Sequence, residues 1–516
     1  MKWLQRVGMI AFAIMALLNA WPLFAQPYIV TLDGASHLDS AGIIARLWWG
    51  DAPGCMERLF AINTEPLPNW MGHLLLMPTS GLNDKGVLLI IAIGLPLAVF
   101  VLARKEKGDI RWLALLALPL AWSFPLLLGF YNFLLSVVLF LVIAAWWSGV
   151  NDPGRRQHVW LGALLLLLYF THSGGWLCCT AWLACKWLVE ALPRIRVTSP
   201  ASEKSALFRS AGGLVLAVLP ALLLLASFTL RRETEPQYME DSQLRQELFE
   251  LRSLVLFNTD WEAPYNRGYG VLLVAALLIG VVMRVRSLRT GQPLVPGDAL
   301  LGTALIMLVC YFVLPDNLGY AGYMVVRWQF LCVVCMVVWI ASQPVPLKFA
   351  LPIAAAALVL TGLRTTYLNE RFSGYTHRIA SVVRAAEKLP HGSVVLPVLH
   401  EPDWLLGGAP AWIGVNNNVC LLNNYEAGVP TSYFPLRWRE DIPHDIMKYL
   451  MRRSACVENL GDHVRTDADL SIDAIVVIGN EVDSSACWWP TLNDVLRDHF
   501  LPVYDDGYAR SYVRKM

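Results

Sequence analysis

The residue types best suited to chemistry in this 516-residue chain lie in the segment Thr31-Leu32-Asp33-Gly34-Ala35-Ser36-His37. Leu38, Ile43, Ile44 and Leu47 follow at helical spacing, which puts Asp33 and His37, four residues apart, on one helix face. A carboxylate beside an imidazole can serve as a general base, the imidazole holding or tuning it. Asp is also a good helix N-cap, and spacing taken by itself favours that role. The two roles are not exclusive.

Further polar residues fall at the ends of apolar runs. His73 follows Asn69-Trp70, Asn132 belongs to the turn Gly129-Phe130-Tyr131-Asn132, and His172 lies in Thr171-His172-Ser173. Asp316 lies in Pro315-Asp316-Asn317-Leu318-Gly319, and Arg327 comes soon after it, one turn inside the next apolar run. Ionisable groups in or beside lipid-spanning helices are costly, so they usually face the protein interior and serve function. A guanidinium fork near the headgroup level suits a phosphate; snorkelling to the interface accounts for Arg327 equally well. For His73 and His172 taken singly, a structural histidine is the simpler reading.

The elements that must hold these residues follow from composition. The chain is 56% hydrophobic and 16% charged, whereas soluble proteins average about 25% charged; lipid is the solvent this balance suits. The 21 Trp and 17 Tyr fit two membrane interfaces. Apolar runs long enough to span a bilayer lie near 7–25, 86–103, 111–129, 131–149, 159–173, 174–192, 207–230, 269–285, 299–315, 323–342 and 349–366. The fold class expected is a polytopic α-helical membrane protein with about 11 transmembrane helices. Met9 to Phe24 reads as a retained signal-anchor, because Trp21-Pro22 stands near its end rather than a small-residue cleavage site.

Lys and Arg occupy alternate connections, including Arg104-Lys105, Arg155-Arg156, Arg194, Arg196 and Arg284-Arg286, while acidic residues occupy the others. This places the N-terminus in the cytoplasm and the C-terminus outside. Long outer loops cover about 26–85 and 231–268; the second carries the amphipathic series Leu244, Leu248, Leu251, Leu254, Val255, suited to lying on the surface or capping a neighbour. Residues 1–368 form the transmembrane domain. From 369 to 516 the composition turns water-soluble, with buried-strand runs at Ser393 to Leu399 and Ile472 to Gly479 and helical patches at 374–388 and 491–499, which predicts a small C-terminal α/β periplasmic domain. Cys55, Cys420, Cys456 and Cys487 fall on the oxidising side, where a disulfide in the tail can form. No cysteine spacing suits a metal, and no basic, aromatic-laced patch suits nucleic acid.

No nucleotide-binding loop, dinucleotide motif, zincin helix or nucleophile elbow occurs, so nucleotide-driven chemistry is disfavoured. An outer-face enzyme then needs an activated substrate carried on lipid, and a polyprenyl-phosphate sugar meets that need. Asp33-Gly34-x-x-His37, the Gly129-Phe130-Tyr131-Asn132-Phe133 turn, His172, and Pro315-Asp316 with Arg327 resemble the GT-C class of integral membrane glycosyltransferases, in its bacterial RgtA/B/C/D-like and protein-mannosyltransferase-like branch. The resemblance covers most of the membrane part. It implies a bacterial inner-membrane enzyme that moves a sugar from a polyprenyl-phosphate donor to a lipid or polysaccharide acceptor on the periplasmic face. It implies Asp33 as base with His37 supporting it, inversion at the sugar, and Arg327 on the leaving phosphate; Asp316, His73, His172 and Asn132 are further substrate-binding candidates. That class also holds a divalent metal in one branch. Here Gly34 stands where an acidic neighbour of Asp33 would be needed, so the expectation is a reaction without cofactor or metal. The rival readings are a transporter or flippase of a lipid-linked saccharide, and a non-catalytic envelope assembly factor. The first is weakened by the absence of an internal repeat. The second rests on the tail segments Asn416-Asn417-Asn418 and Asn423-Asn424-Tyr425-Glu426, which could bind a partner or fold over a cavity.

Overall fold

The structure, a computed structural model, describes residues 2–79, 83–107, 112–150, 153–192, 201–231, 235–319, 321–428, 433–439, 472–479 and 489–515. The chain divides into two compact units. Unit 1 comprises Met1–Pro22, Leu88–Leu126 and Tyr131–Leu368; unit 2 comprises Leu23–Val87, Leu127–Phe130 and Asn369–Met516. The segment read from sequence as the first outer loop therefore folds with the C-terminal residues.

Unit 1 is helical. Its helices are α1 (Lys2–Asn19) and then, after a unit 2 stretch whose longer helices are α2 (Gly34–Trp49) and α3 (Trp70–Thr79), α4 (Lys85–Lys107), α5 (Tyr131–Trp147), α6 (Arg155–Thr171), α7 (Ser173–Ala191) and α8 (Ala201–Leu230). They continue as α9 (Asp241–Phe249), α10 (Glu262–Arg289), α11 (Asp298–Val313), α12 (Met324–Ser342) and α13 (Leu347–Ala386), the last running on into unit 2. Among the described residues, five helices are long and apolar enough to cross a membrane, in the stretches Lys85–Lys105, Leu207–Leu230, Glu262–Arg289, Met324–Ser342 and Leu347–Ala386. Their burial separates two roles. α12 is 83% buried and central to its unit, whereas the apolar windows of Leu207–Leu230 and α10 are only 11% and 17% buried. Apolar faces left this open are stable against lipid rather than water.

The run at 111–129, expected as one span, is instead broken. It forms 3-10 turns at Trp112–Ala117 and Pro119–Ala121 and a short helix at Phe124–Leu127. Pro119 and Pro125 each remove a backbone donor and crowd a preceding carbonyl, and two such residues within seven positions favour a break there. The carbonyls this frees are buried, and side chains satisfy them. Asn19 donates to Leu118 O at 2.9 Å, Tyr269 to Leu116 O at 2.5 Å, and Arg364 to Trp122 O at 2.6 Å. Arg364, itself buried, also donates to Leu254 O at 2.8 Å. Irregular backbone survives inside an apolar bundle when it is paired in this way. The amphipathic series at 244–255 breaks at Leu251, which has φ 51°; Tyr311 donates to Leu244 O and Gln329 to Glu247 O, so the stretch caps its neighbours.

Unit 2 is built on a five-stranded sheet of order β5-β4-β7-β9-β8. These are β4 (Val394–Leu399), β5 (Cys420–Leu421), β7 (Ala474–Ile478), β8 (Phe500–Asp505) and β9 (Ala509–Arg514), with α14 (Trp489–His499) leading into β8. β4 runs parallel to β5 and β7, and β9 runs antiparallel to β7 and β8. A separate ribbon pairs β1 (Phe60–Ile62) with β6 (Leu436–Trp438), stacking Phe60 on Trp438 at 4.5 Å; in unit 1, β2 (Pro236–Gln237) pairs with β3 (Asn317–Leu318). The core of unit 2 joins Ile43 and Ile44 of α2 and Leu59 to Val394, Leu396, Ile475 and Val477 of the sheet and Val495 of α14. The helix that carries Asp33 at its start is thus anchored in a packed core. One disulfide, Cys55–Cys420, joins the segment before β1 to β5; the tail cysteine's partner is not in the tail. Cys456 and Cys487 lie outside the described residues.

Candidate active site

In unit 2, Asp33 occupies the N-cap position of α2, yet its carboxylate makes no capping bond to the helix backbone. Position and role therefore separate: the cap site is filled, and the acid group is directed elsewhere. Its charge acts on the ring of His37 and on the hydroxyl of Tyr425. Burial pushes the Tyr425 phenol well above its ordinary range, and the charges of Asp33 and Glu426 push the same way.

Backbone contacts hold this corner. Leu32 N–H donates to Leu127 O at 2.8 Å and Asp33 N–H to Leu128 O at 3.2 Å. Gly129, at φ +81°, sits so close that a Cβ there would stand 2.6 Å from Gly34 N and 2.8 Å from Asp33 N. Only glycine meets both the left-handed backbone and the missing space. Gly408 closes the other side, where a Cβ would stand 1.8 Å from Leu32 O.

One turn into α2, His37 faces a partner that sequence spacing did not connect to it. His37 Nδ1 lies 2.6 Å from Oε1 of Glu426, and His73 Nε2 of α3 lies 2.7 Å from Oε2 of the same carboxylate. All three are enclosed, at 6%, 1% and 1% exposure for His37, His73 and Glu426. Phe434 packs against both imidazoles and Tyr425, with ring centroids 5.9 to 6.2 Å apart. Burial alone would raise the Glu426 carboxyl, but the facing rings of His37 and His73 hold it well below the usual carboxylate range. His37 moves the opposite way: burial disfavours its charge, and the Glu426 carboxylate more than reverses this. Two residues on, buried Asp39 accepts from Asn424 Nδ2 at 3.2 Å; burial, then the Glu426 charge, raises its carboxyl to about 8. The Asn424-Tyr425-Glu426 stretch, an interaction surface or a cover by sequence, is thus interior.

In unit 1, two expected residues meet. His172 Nδ1 accepts from Gly174 N at 2.9 Å, and Arg327 Nη1 lies 3.2 Å from His172 Nε2. A neutral imidazole whose Nδ1 accepts carries its proton on Nε2. Two donors then converge on one point, an arrangement that attracts an anionic oxygen. Phe133 backs the pair, 5.4 Å from the His172 ring and 5.9 Å from the Arg327 guanidinium. The hairpin carrying His172 is packed tightly: a Cβ at Gly175 would stand 2.2 Å from Ser136 Oγ. Asp316 accepts from Val325 N at 3.1 Å at the start of α12, and buried Asn132 is the second residue of α5.

No protein-family profile matches the sequence, and no curated protein matches it significantly. By structure the chain is similar to ArnT from Cupriavidus metallidurans, both in the apo state and bound to undecaprenyl phosphate. In each case the TM-score is 0.50 at 12% identity, over 98% of this chain and 97% of that one. This chain therefore shares the fold of ArnT.

Proposed function

We propose that this fold serves a membrane glycosyltransferase that moves a sugar from a polyprenyl-phosphate donor to an acceptor hydroxyl at the outer face of a bacterial inner membrane. The observation that carries the reading is the Asp33 carboxylate, held at the head of α2 by backbone clamps and yet not used to cap it. In the reaction Asp33 takes the acceptor's hydroxyl proton. The acceptor oxygen bonds to the anomeric carbon with inversion as the bond to the phosphate oxygen breaks, releasing polyprenyl phosphate. Arg327 and His172 supply donors to that phosphate as its charge develops, and ArnT's capture with undecaprenyl phosphate supports such a donor. Asp316 orders the start of the Arg327 helix through Val325 N–H. His37 supports Asp33 from the next turn.

The Cys55–Cys420 disulfide supports an outer location for unit 2, since such bonds persist on the oxidising side. It also fits an N-terminus in the cytoplasm. The test is release of polyprenyl phosphate from a synthetic polyprenyl-phosphate sugar by the purified protein in liposomes, supplied with envelope lipids or polysaccharide. Sugar-dependent release that is lost in Asp33→Asn supports the reading; equal release by wild type and variant removes it.

A further inference from the structure

His37, His73 and Glu426 form a buried cluster of which the transfer reaction uses only His37. Each imidazole already has a backbone partner. His73 Nδ1 lies 3.1 Å from the carbonyl of Asn69, whose own φ is 75°, and the Gly129 backbone bonds His37 in the sense that keeps a proton on the ring. A carbonyl only accepts, so neutral His73 spends its single N–H on Asn69 and turns a bare lone pair toward Glu426; His37 is placed likewise. A carboxylate oxygen is also an acceptor. Acceptor therefore faces acceptor twice, at 2.6 and 2.7 Å, inside a dry pocket. Cations must lie between them: either two further protons or one metal ion.

We propose that His37 Nδ1, His73 Nε2 and the Glu426 carboxylate form a binding site for a single divalent transition-metal ion of the zinc class. All ligand atoms lie within 4.8 Å of one another. Two imidazoles and one carboxylate are a zinc-type donor set with a fourth position left for water or another ligand, and they do not suit calcium or magnesium, which take oxygen ligands. The carbonyls of Asn69 and Gly129 do what such partners do in metal sites, fixing the tautomer so that the right nitrogen faces the ion. The ion would tie α2, α3 and the 425–428 turn together, adding to the bonds from Asn424 to Asp39 and Ser40 of α2. The site stands independently of the glycosyltransfer reading.

The experiment uses tag-free, full-length protein in detergent. It is stripped with chelator, then titrated with Zn2+ against a chromophoric competitor, with bound metal counted by mass spectrometry. The expected result is saturable uptake of one ion per chain. His73→Gln and Glu426→Gln should each weaken it by at least the roughly 10- to 100-fold that losing an outer-shell partner costs, while Asp33→Asn retains it. Cobalt(II) loading should give the visible bands of a four-coordinate nitrogen and oxygen site with no thiolate charge-transfer band. Wild-type protein that takes up no stoichiometric metal overturns the proposal and leaves protons in the cluster; this result needs no variant to fold. Uptake unchanged in folded His73→Gln overturns it equally.

Discussion

His73 and Glu426 are 353 residues apart in the chain and 2.7 Å apart in the fold, both with essentially no solvent exposure. Their meeting, with His37 as the third member, joins the segment after the first helix to the tail, and it lies one helical turn from Asp33.

Replacing Asp33 with Asn should lower kcat for transfer by roughly 1000-fold, within the range for losing a general base, with little change in donor KM. The isostere keeps the N-cap position, so thermal unfolding should be unchanged. A variant that keeps near-normal kcat would falsify the assignment of Asp33 as base.

Arg327→Ala should weaken donor use more than Arg327→Lys, because lysine restores the charge but not the fork. The readout is kcat/KM for a polyprenyl-phosphate sugar, with a loss of about 100-fold for Ala, the scale of one lost donor to developing charge. If Ala and Lys behave alike and near wild type, Arg327 merely reaches for the interface.

Gly129→Ala should destabilise unit 2. The left-handed φ of +81° costs a residue with a Cβ about 1–2 kcal/mol, and that Cβ would meet the backbone of Gly34 and Asp33. Thermal unfolding should fall, and transfer should fall with it even though no reacting group is removed. A variant with unchanged Tm and activity would show the clamp to be dispensable.

Peptide mapping without reductant should recover Cys55 joined to Cys420. Cys55→Ser should lower stability by about 2–4 kcal/mol, the usual worth of a disulfide, measured by denaturant unfolding of the unit 2 core. Recovery of Cys420 on Cys456 or Cys487 instead would overturn the pairing.

Asp506 provides a pH dependence away from the site. Burial would raise its carboxyl, but the N–H of Ala509 and the side chains of Ser381, Tyr504 and Arg384 hold it below the ordinary value of 3.8. A depressed folded pKa means the contribution is complete above the unfolded value and is lost as pH falls beneath it. Stability should therefore drop as pH falls below about 3.8, and Asp506→Asn should flatten that acid limb. An acid limb identical in the variant would assign the loss to other groups.

Local patterns carried much of this protein into view. Apolar runs of helical length foretold most of the helices, because a helix in lipid must satisfy its own backbone and show an apolar surface along its length. The buried-strand runs at 393–399 and 472–479 became neighbouring strands β4 and β7, and the Asp33 to His37 spacing is a property of one helix turn. The break at 112–127 was also written locally, in Pro119 and Pro125, although apolar content masked it. What only the tertiary structure decided are the pairings between distant segments: Glu426 between His37 and His73, Cys420 on Cys55, Gly408 against Leu32, and Arg364 on the carbonyls of the broken segment. A single sequence records what each residue prefers among its near neighbours. Which lone pair finds which cation across hundreds of residues is settled when the core closes and every buried polar group must find a partner.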